Sequence, residues 1–259
     1  GAAIAERLAA DGHAVAINYA GRRQDVDDVV ERIVSRGGDA LALQADIADP
    51  AAVERLFDAV EARFGGVDVL VNNAGIMKLA ALADSDDALF DSQVATNLKG
   101  TFSTPRQAPR GLRDGGRIVN LSTSVVGLKL ESYGVYAATK AAVETLTAIL
   151  SKELRGRSIT VNAVAPGPVA TALFLDGKSP ELIERLSKMN PLERLGTPAD
   201  IASAVAFLAS ADGGWINGQV LRANRGIGWQ PPDRPRPAPG PPPRSRPGCR
   251  HRHTARGRR

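Results

Sequence analysis

Short apolar runs alternate with longer amphipathic segments along most of the chain. Apolar runs bounded by Gly, Asn or Pro predict strands, and segments with an apolar residue at every third or fourth position predict helices. The strands are predicted at 13–18, 40–44, 67–72, 117–121, 160–164 and 218–222, and helices at 2–10, 25–36, 50–64, 135–154, 180–189 and 198–209. This alternation predicts an α/β fold of three layers, a doubly wound parallel sheet with helices on both faces.

Segment 86–113 is predicted to be helical in two pieces, and it contains Pro105 and Pro109 where the second piece should continue. A proline inside a helix costs about 3 kcal/mol, because it lacks the N–H group and crowds the preceding turn. The two prolines are expected either to break this helix or to weaken it.

The C-terminal part differs in composition from the rest. The chain has 259 residues and a net charge of +5, but 231–259 holds nine Arg and one acid, which gives +8 there and −3 for 1–230. Of these 29 residues, 23 are Pro, Arg, Gly or Ala. Such a segment cannot bury enough apolar surface to fold. We therefore predict a folded domain over 1–226 and a disordered tail over 227–259, in preference to a nucleic-acid-binding arm.

Composition also limits the chemistry and the compartment. The single cysteine, Cys249, cannot form an internal disulfide, which favours a cytoplasmic protein. No apolar run approaches the roughly 18 residues that span a membrane, so no membrane partner is expected. His13 is the one histidine before the tail, which argues against a metal site or a histidine-based triad.

Tyr136 and Lys140 are the main candidates for catalysis. Residues four positions apart share a helix face, so the Lys140 ammonium is expected to lie beside the Tyr136 hydroxyl and to lower its pKa. A phenol with a lowered pKa is a suitable acid and base for carbonyl and alcohol chemistry. Ser124 is placed to hold the substrate oxygen. The alternative is a solvated tyrosine and a surface lysine; Tyr133 competes with Tyr136 but has Ala137 four positions later.

A small-residue turn follows the strand at 67–72. It has the sequence Asn72-Asn73-Ala74-Gly75, in which Gly75 allows a ligand to approach the backbone closely. Ligands of open α/β sheets bind beyond the carboxyl ends of the strands, where this turn is predicted. The asparagines are also expected to tie neighbouring strands together.

These motifs together resemble the short-chain dehydrogenase/reductase family, and most closely its 3-oxoacyl-[acyl-carrier-protein] reductase type. The resemblance rests on the turn at 72–75, on Asn97, Ser124 and Tyr136-x-x-x-Lys140, and on the downstream segment 166–171, and it extends from Gly1 to about Asn224. It implies a Rossmann-type fold and a hydride transfer between a nicotinamide cofactor and a carbonyl or secondary alcohol substrate. It also implies a homo-oligomer, either a tetramer or a dimer.

The resemblance implies a role for each catalytic candidate. Tyr136 would be the acid and base, Lys140 would lower its pKa and bind the nicotinamide ribose, and Ser124 would orient the substrate carbonyl. Asn97 would hold a water that connects Lys140 to solvent. Ser122 is an alternative to Ser124, but Ser124 stands directly before the Val-Val-Gly segment, where the family has its serine.

The resemblance also implies a cofactor site. Because no acid ends the second strand of the family's pattern, and Arg22 and Arg23 follow it, NADP(H) is favoured over NAD(H). The alternative is that both arginines are solvated loop charges. Asp46 and Ile47 would hold the adenine, and Thr171 the nicotinamide carboxamide. The full predicted cofactor set is Gly1, Tyr19, Ala20, Gly21, Arg22, Asp46, Ile47, Asn73, Ala74, Gly75, Tyr136, Lys140, Pro166, Gly167, Val169 and Thr171.

The sequence departs from the family pattern at its start. Gly1 aligns with the last glycine of the family's phosphate-binding loop, so the first, central strand and the earlier glycines of that loop are expected to be missing from the sheet. That loop normally binds the pyrophosphate at a helix N-terminus. The alternative to an oxidoreductase is therefore a non-catalytic family member that serves as a scaffold without cofactor.

Overall fold

The computed structural model describes residues 1–227, apart from the side chains at 108 and 109. It contains six strands, five of which lie within three residues of both predicted ends. The strands are β1 (Val15–Tyr19), β2 (Ala40–Gln44), β3 (Val67–Asn72), β4 (Leu112–Leu121), β5 (Thr160–Pro166) and β6 (Val220–Ala223).

The helices follow the predicted alternation, with short helices added in the loops. They are α1 (Ala2–Ala10), α2 (Arg23–Val34), α3 (Pro50–Phe64), α4 (Asp87–Gln93), α5 (Thr101–Gly111), α6 (Val125–Leu128), α7 (Gly134–Glu153), α8 (Ala172–Leu175), α9 (Pro180–Ser187) and α10 (Pro198–Ala209). The short α6 and α8 were not predicted, because four-residue helices leave no periodic pattern.

All strand pairs are parallel, which confirms the predicted α/β class. The strands form two groups, β1-β2 and β3-β4-β5-β6. The separation falls where a central strand was expected to be missing. There a cavity of about 520 Å³ is lined by β1 and β3, and by apolar side chains such as Leu8, Phe57 and Val71.

Two clusters of buried side chains cover opposite faces of the four-stranded sheet. On one face, Val119 and Val164 pack with Leu8 of α1 and Val205 and Leu208 of α10. On the other face, Ile118 and Val161 pack with Leu154, directly after α7. The sheet is therefore the middle of three layers, as the alternation predicts.

The helix that contains Pro105 continues through it to Gly111. The carbonyl that Pro105 leaves without an N–H donor belongs to Thr101, and the Thr104 hydroxyl lies 3.3 Å from it. The irregularity lies earlier, at Val94–Gly100, which forms a π-helix between α4 and α5. The predicted division into two pieces is confirmed, but a π-helix makes it and not the prolines.

The predicted tail lies almost wholly outside the described residues. Its first residue, Ile227, is described and is only 3% exposed. The prediction for 228–259 therefore stays a prediction.

Substitution of Ile118 tests the sheet-centred core. Ile118 is fully buried on β4. We expect Ile118→Ala to lower the free energy of unfolding by about 2–5 kcal/mol in urea titrations, through lost apolar contact and a residual cavity. Ile149→Ala is the matched control, since Ile149 is 47% exposed. Equal losses from the two variants would contradict the described core.

Candidate active site

The catalytic candidates lie where α7 meets the carboxyl end of β4. Tyr136 and Lys140 are both buried residues of α7, and the segment 122–124 follows β4 directly. Residues one turn apart on α7 face the sheet together. The alternative of a solvated tyrosine and a surface lysine is therefore excluded, because both residues are buried.

Lys140 is held by the backbone at the end of β4. Its Nζ donates a hydrogen bond of 2.7 Å to the Leu121 carbonyl, and the residue is 4% exposed. Burial disfavours the charged amine and lowers the pKa of Lys140 to about 8. The side chain can therefore gain or lose a proton close to neutral pH.

The pKa of Tyr136 shifts in the direction opposite to the predicted one. Burial raises the pKa of Tyr136 to about 12, while a hydrogen bond with the Thr123 side chain acts against this shift and Tyr133 adds to it. The predicted lowering of this pKa by Lys140 is not found: Lys140 is not among the causes of the shift, and the loss of solvent around the phenol is the largest of them. With this raised pKa, Tyr136 is a neutral phenol at neutral pH and can donate a proton.

Ser124 and Ser122 have different hydrogen-bond partners. The Ser124 hydroxyl donates to the Ala165 carbonyl at 3.1 Å, and its backbone N–H donates to Pro166 at 2.8 Å. The Ser122 hydroxyl donates to Glu144, one turn beyond Lys140, at 2.7 Å. Both serines line the same cavity, but Ser122 is engaged by a carboxylate and Ser124 by a neutral carbonyl.

Asn97 lies in the π-helix and is fully buried. Its side-chain amide binds both backbone groups of Ile76, with Oδ1 accepting at 2.8 Å and Nδ2 donating at 2.9 Å. Nδ2 also contacts the Thr139 hydroxyl on α7 at 3.3 Å. The side chain thus fixes the turn at 72–75 against α7. The predicted water-holding role stays a prediction.

Gly75 stands where a side chain would fill the site. A Cβ atom there would lie 3.2 Å from Asn97 Oδ1 and 3.4 Å from Lys140 Nζ. The absence of a side chain therefore keeps the space beside the lysine amine open. Asn72, at the end of β3, donates to Asn120 of β4 at 2.7 Å, so the expectation that an asparagine ties the strands together is confirmed for Asn72.

A cavity of about 240 Å³ joins three of the four catalytic candidates, all except Asn97, to part of the predicted cofactor set. Its remaining wall is largely apolar, and Lys140 is the one charged side chain among its lining residues. The predicted residues that line it are Gly1, Asn73, Gly75, Ser124, Tyr136, Lys140, Pro166, Gly167, Val169 and Thr171.

The other predicted cofactor residues lie outside this cavity. Ile47 and Ala74 line the larger cavity between the sheets, whereas Tyr19, Ala20, Gly21, Arg22 and Asp46 line neither. The Asp46 carboxylate accepts from the Ala48 N–H at 2.9 Å, as a turn residue does. Arg22 pairs with Asp25 at 3.2 Å and Arg23 with Asp27 at 3.0 Å, and all four side chains are exposed.

Three contacts of the site were not predicted. The Thr123 side chain acts on the pKa of Tyr136, Thr139 donates to the Tyr136 carbonyl at 2.8 Å, and the Tyr133 ring lies edge-on to Tyr136 with centroids 6.4 Å apart. Thr123 and Thr139 adjoin predicted residues, but a single sequence gives no sign of where their hydroxyls point.

The described part of the chain has neither a cluster of metal-ligating side chains nor a helix that could span a membrane. Within residues 1–227 no group of three or more His, Cys, Asp or Glu side chains is arranged to hold a metal ion. None of the helices in the same range has the length and apolar character needed to cross a bilayer.

Residues 1–228 match a protein-family model described as enoyl-(acyl carrier protein) reductase. The chain is 44% identical over 236 residues to a short-chain type dehydrogenase/reductase of Picea abies, with 87% of each chain covered. It is 41% identical to an NADPH-dependent aldehyde reductase-like protein of Arabidopsis thaliana, covering 87% of this chain and 89% of that one. Identity to a Staphylococcus aureus 3-oxoacyl-[acyl-carrier-protein] reductase is 42%, with coverages of 88% and 93%.

A solved structure has the same fold. A short chain dehydrogenase from Burkholderia cenocepacia in complex with NADP superposes with a TM-score of 0.82. Sequence identity is 37%, and the match covers 88% of this chain and 92% of that one. This likeness supports the three-layer architecture described above.

The pH dependence of folding tests the burial of Lys140. Burial lowers the pKa of Lys140 in the folded chain to about 8, from an ordinary value of 10.5. Between these two pH values the unfolded chain binds more protons at this amine, so the free energy of unfolding rises with pH. The free energy of unfolding of the wild type, relative to Lys140→Met, should therefore rise by on the order of 2 kcal/mol from about pH 7 to about pH 10.

Urea titrations at each pH would measure this difference. Lys152→Met is the control, because Lys152 is an exposed residue of the same helix. A difference between wild type and Lys140→Met that stays constant with pH would contradict the lowered pKa.

Proposed function

Because the chain belongs to the short-chain dehydrogenase/reductase family, we propose that it is an oxidoreductase that transfers a hydride between NADP(H) and a carbonyl or secondary alcohol substrate. The observation that carries the proposal is the meeting of Ser124, Tyr136 and Lys140 in one largely apolar cavity beside Gly75. In that cavity a proton donor, a hydroxyl and a buried amine surround a space of about 240 Å³.

In the direction of reduction, Tyr136 donates the proton that the substrate oxygen gains. Its raised pKa keeps the phenol protonated at neutral pH. The Ser124 hydroxyl, which binds the Ala165 carbonyl in the structure, turns to the substrate oxygen. NADPH supplies the hydride when bound. Lys140, with a pKa of about 8, replaces the proton that Tyr136 gives up.

The residues at the inner end of the cavity fit a nicotinamide riboside. Gly75 leaves open the space next to the Lys140 amine, where ribose hydroxyls would bind. Gly167 lies so close to Asn224 that a Cβ atom would stand 3.0 Å from the Asn224 Cα. A side chain at position 167 would therefore collide with Asn224, and glycine allows the loop to approach the segment after β6 this closely. Thr171 and Val169 complete the same wall.

Preference for NADP(H) is the finer part of the proposal. Arg22 and Arg23 are exposed after β1, where a guanidinium can bind a 2′-phosphate in a bidentate manner. Names of similar proteins agree with this preference, since one relative is called NADPH-dependent and one similar structure contains NADP. Asp46 and Ile47 remain the proposed adenine contacts.

We further propose a cytoplasmic homo-oligomer, a tetramer or a dimer. Several large apolar side chains near the C-terminal end of the described chain are exposed, with Trp215 at 99%, Phe207 at 41% and Leu221 at 37%. A contiguous exposed apolar patch is typical of an interaction surface, and these three side chains are proposed to belong to one. Neither nucleic acid nor membrane is a proposed partner.

Substitution of Tyr136 tests the proposed reaction. With para-nitrobenzaldehyde as a neutral carbonyl probe, we expect Tyr136→Phe to lower kcat for NADPH oxidation by about a thousandfold, because the proton donor is lost. Tyr133→Phe, in the ring that lies against Tyr136, should keep kcat within about threefold of wild type.

Binding of NADPH separates this proposal from a non-catalytic scaffold. NADPH fluorescence titration should show binding to wild type and to Tyr136→Phe alike. A wild-type protein that binds no NADPH would favour the scaffold, whereas equal kcat for wild type and Tyr136→Phe would exclude Tyr136 as the acid.

Charge reversal at Arg22 tests the cofactor preference. Arg22→Glu should raise KM for NADPH roughly tenfold or more through loss of a charge-assisted hydrogen bond, and should leave KM for NADH nearly unchanged. Arg55→Glu is the matched control, since Arg55 is also an exposed arginine, 70% exposed, that pairs with an aspartate. If both variants changed KM equally, the preference would not depend on Arg22.

A further inference from the structure

The outer wall of the catalytic cavity is assembled from three separate segments of the chain. Met189 comes from the segment after α9, Pro198 and Ile201 come from the start of α10, and Ile227 follows β6. Tyr136 and Lys140 of α7 line the same cavity. The shape of the substrate space therefore depends on how these three segments are held together.

The Asp200 carboxylate contacts residues of all three segments. Its Oδ2 accepts from Arg194 Nη1 at 3.1 Å, from Arg225 Nη2 at 2.5 Å and from the Thr197 backbone N–H at 2.7 Å. Thr197 is the N-cap of α10 and forms a capping box with Asp200. Arg194 thus connects the loop after α9, and Arg225 the segment after β6, to the first turn of α10.

Arg225 occupies its position at a conformational cost. Its φ is +57°, in the left-handed region that favours glycine. Its side chain is only 13% exposed, and Nη1 is buried without a hydrogen-bond partner among the described residues. A strained backbone and an unsatisfied guanidinium nitrogen are both unfavourable. The ion pair with Asp200 is the contact that holds this residue in place.

The segment of Arg225 also supports the inner part of the cavity. The N–H of Gly167 donates to the Ala223 carbonyl at 3.1 Å, and the Asn224 side chain binds the Ile227 carbonyl at 3.2 Å. Arg225 lies between these two contacts. A shift of Arg225 would therefore move Ile227 and the Gly167 loop together.

We propose that Asp200 and Arg225 are positioning residues that set the outer wall of the cavity and thereby the affinity for substrate. They act through Met189, Pro198 and Ile227 and do not touch the reacting atoms. The inference rests on the proposed function, because it assigns substrate binding to this cavity. Loss of the ion pair weakens substrate binding and leaves the proton transfer from Tyr136 intact.

Arg225→Gly separates positioning from fold stability. Glycine removes the guanidinium and also relieves the positive φ, so the melting temperature should stay equal to that of wild type or rise. With para-nitrobenzaldehyde and saturating NADPH, KM should rise about tenfold while kcat stays within about threefold. Glu193→Gly is the matched control, since Glu193 is exposed, has a φ of +48° and lies in the loop before α10 (residues 189–197, the wall loop). Its KM should equal that of wild type.

A second measurement does not depend on turnover. Trypsin can cleave after Lys178, Arg185 and Lys188, which precede the wall loop. Cleavage there under native conditions should be about tenfold faster in Arg225→Gly and in Asp200→Asn than in wild type or Glu193→Gly, because a loosened segment opens more often.

The turnover measurement and the cleavage measurement together distinguish failure of this inference from failure of the proposed function. If the wild type showed no turnover, the proposed reaction would be rejected. Faster cleavage in Arg225→Gly and Asp200→Asn would even then support the ion pair as the contact that holds the outer wall. Equal KM values and equal cleavage rates for wild type and Arg225→Gly would overturn the inference.

Discussion

The site depends on the attachment of α7 to the carboxyl end of β4. Three consecutive residues, the last two of β4 and the one that follows it, each bind a different turn of this helix. The pairs are Asn120–Thr147, Leu121–Lys140 and Ser122–Glu144, with hydrogen bonds of 2.7–2.9 Å. Each bond is worth about 1 kcal/mol, but together they fix the rotation and the height of α7 on the sheet. The position of Tyr136 relative to Ser124 follows from this attachment.

Burial then decides the protonation of the two central groups. The same apolar surroundings raise the pKa of Tyr136 and lower the pKa of Lys140, because both shifts favour a neutral side chain. A neutral phenol suits proton donation, and an amine that titrates near neutral pH suits its recharging. Desolvation thus makes Tyr136 a proton donor for the proposed reaction, whereas the spacing of Tyr136 and Lys140 predicts a phenol activated by a nearby cation.

Periodicity and spacing predicted most of the fold and the members of the site. Strands β2 and β3 and helices α1, α3 and α10 lie at the predicted residues, because apolar patterns and Gly or Pro boundaries specify them locally. Three features depend on long-range packing and could not be predicted. They are the π-helix around Asn97, the direction of the Tyr136 pKa shift and the strained Arg225, which needs a carboxylate 25 residues earlier in the chain.

The cavity therefore consists of two parts that are held in different ways. The groups proposed to react are fixed by the attachment of α7 to the sheet, through two buried hydrogen bonds and one partly buried one. The outer wall consists of loop and helix-end residues joined at Asp200, whose side chain is 37% exposed. Loops on a rigid scaffold tolerate change better than the scaffold does. Substitutions around Arg194 and Arg225 can thus alter which substrate fits without disturbing the groups that move the proton.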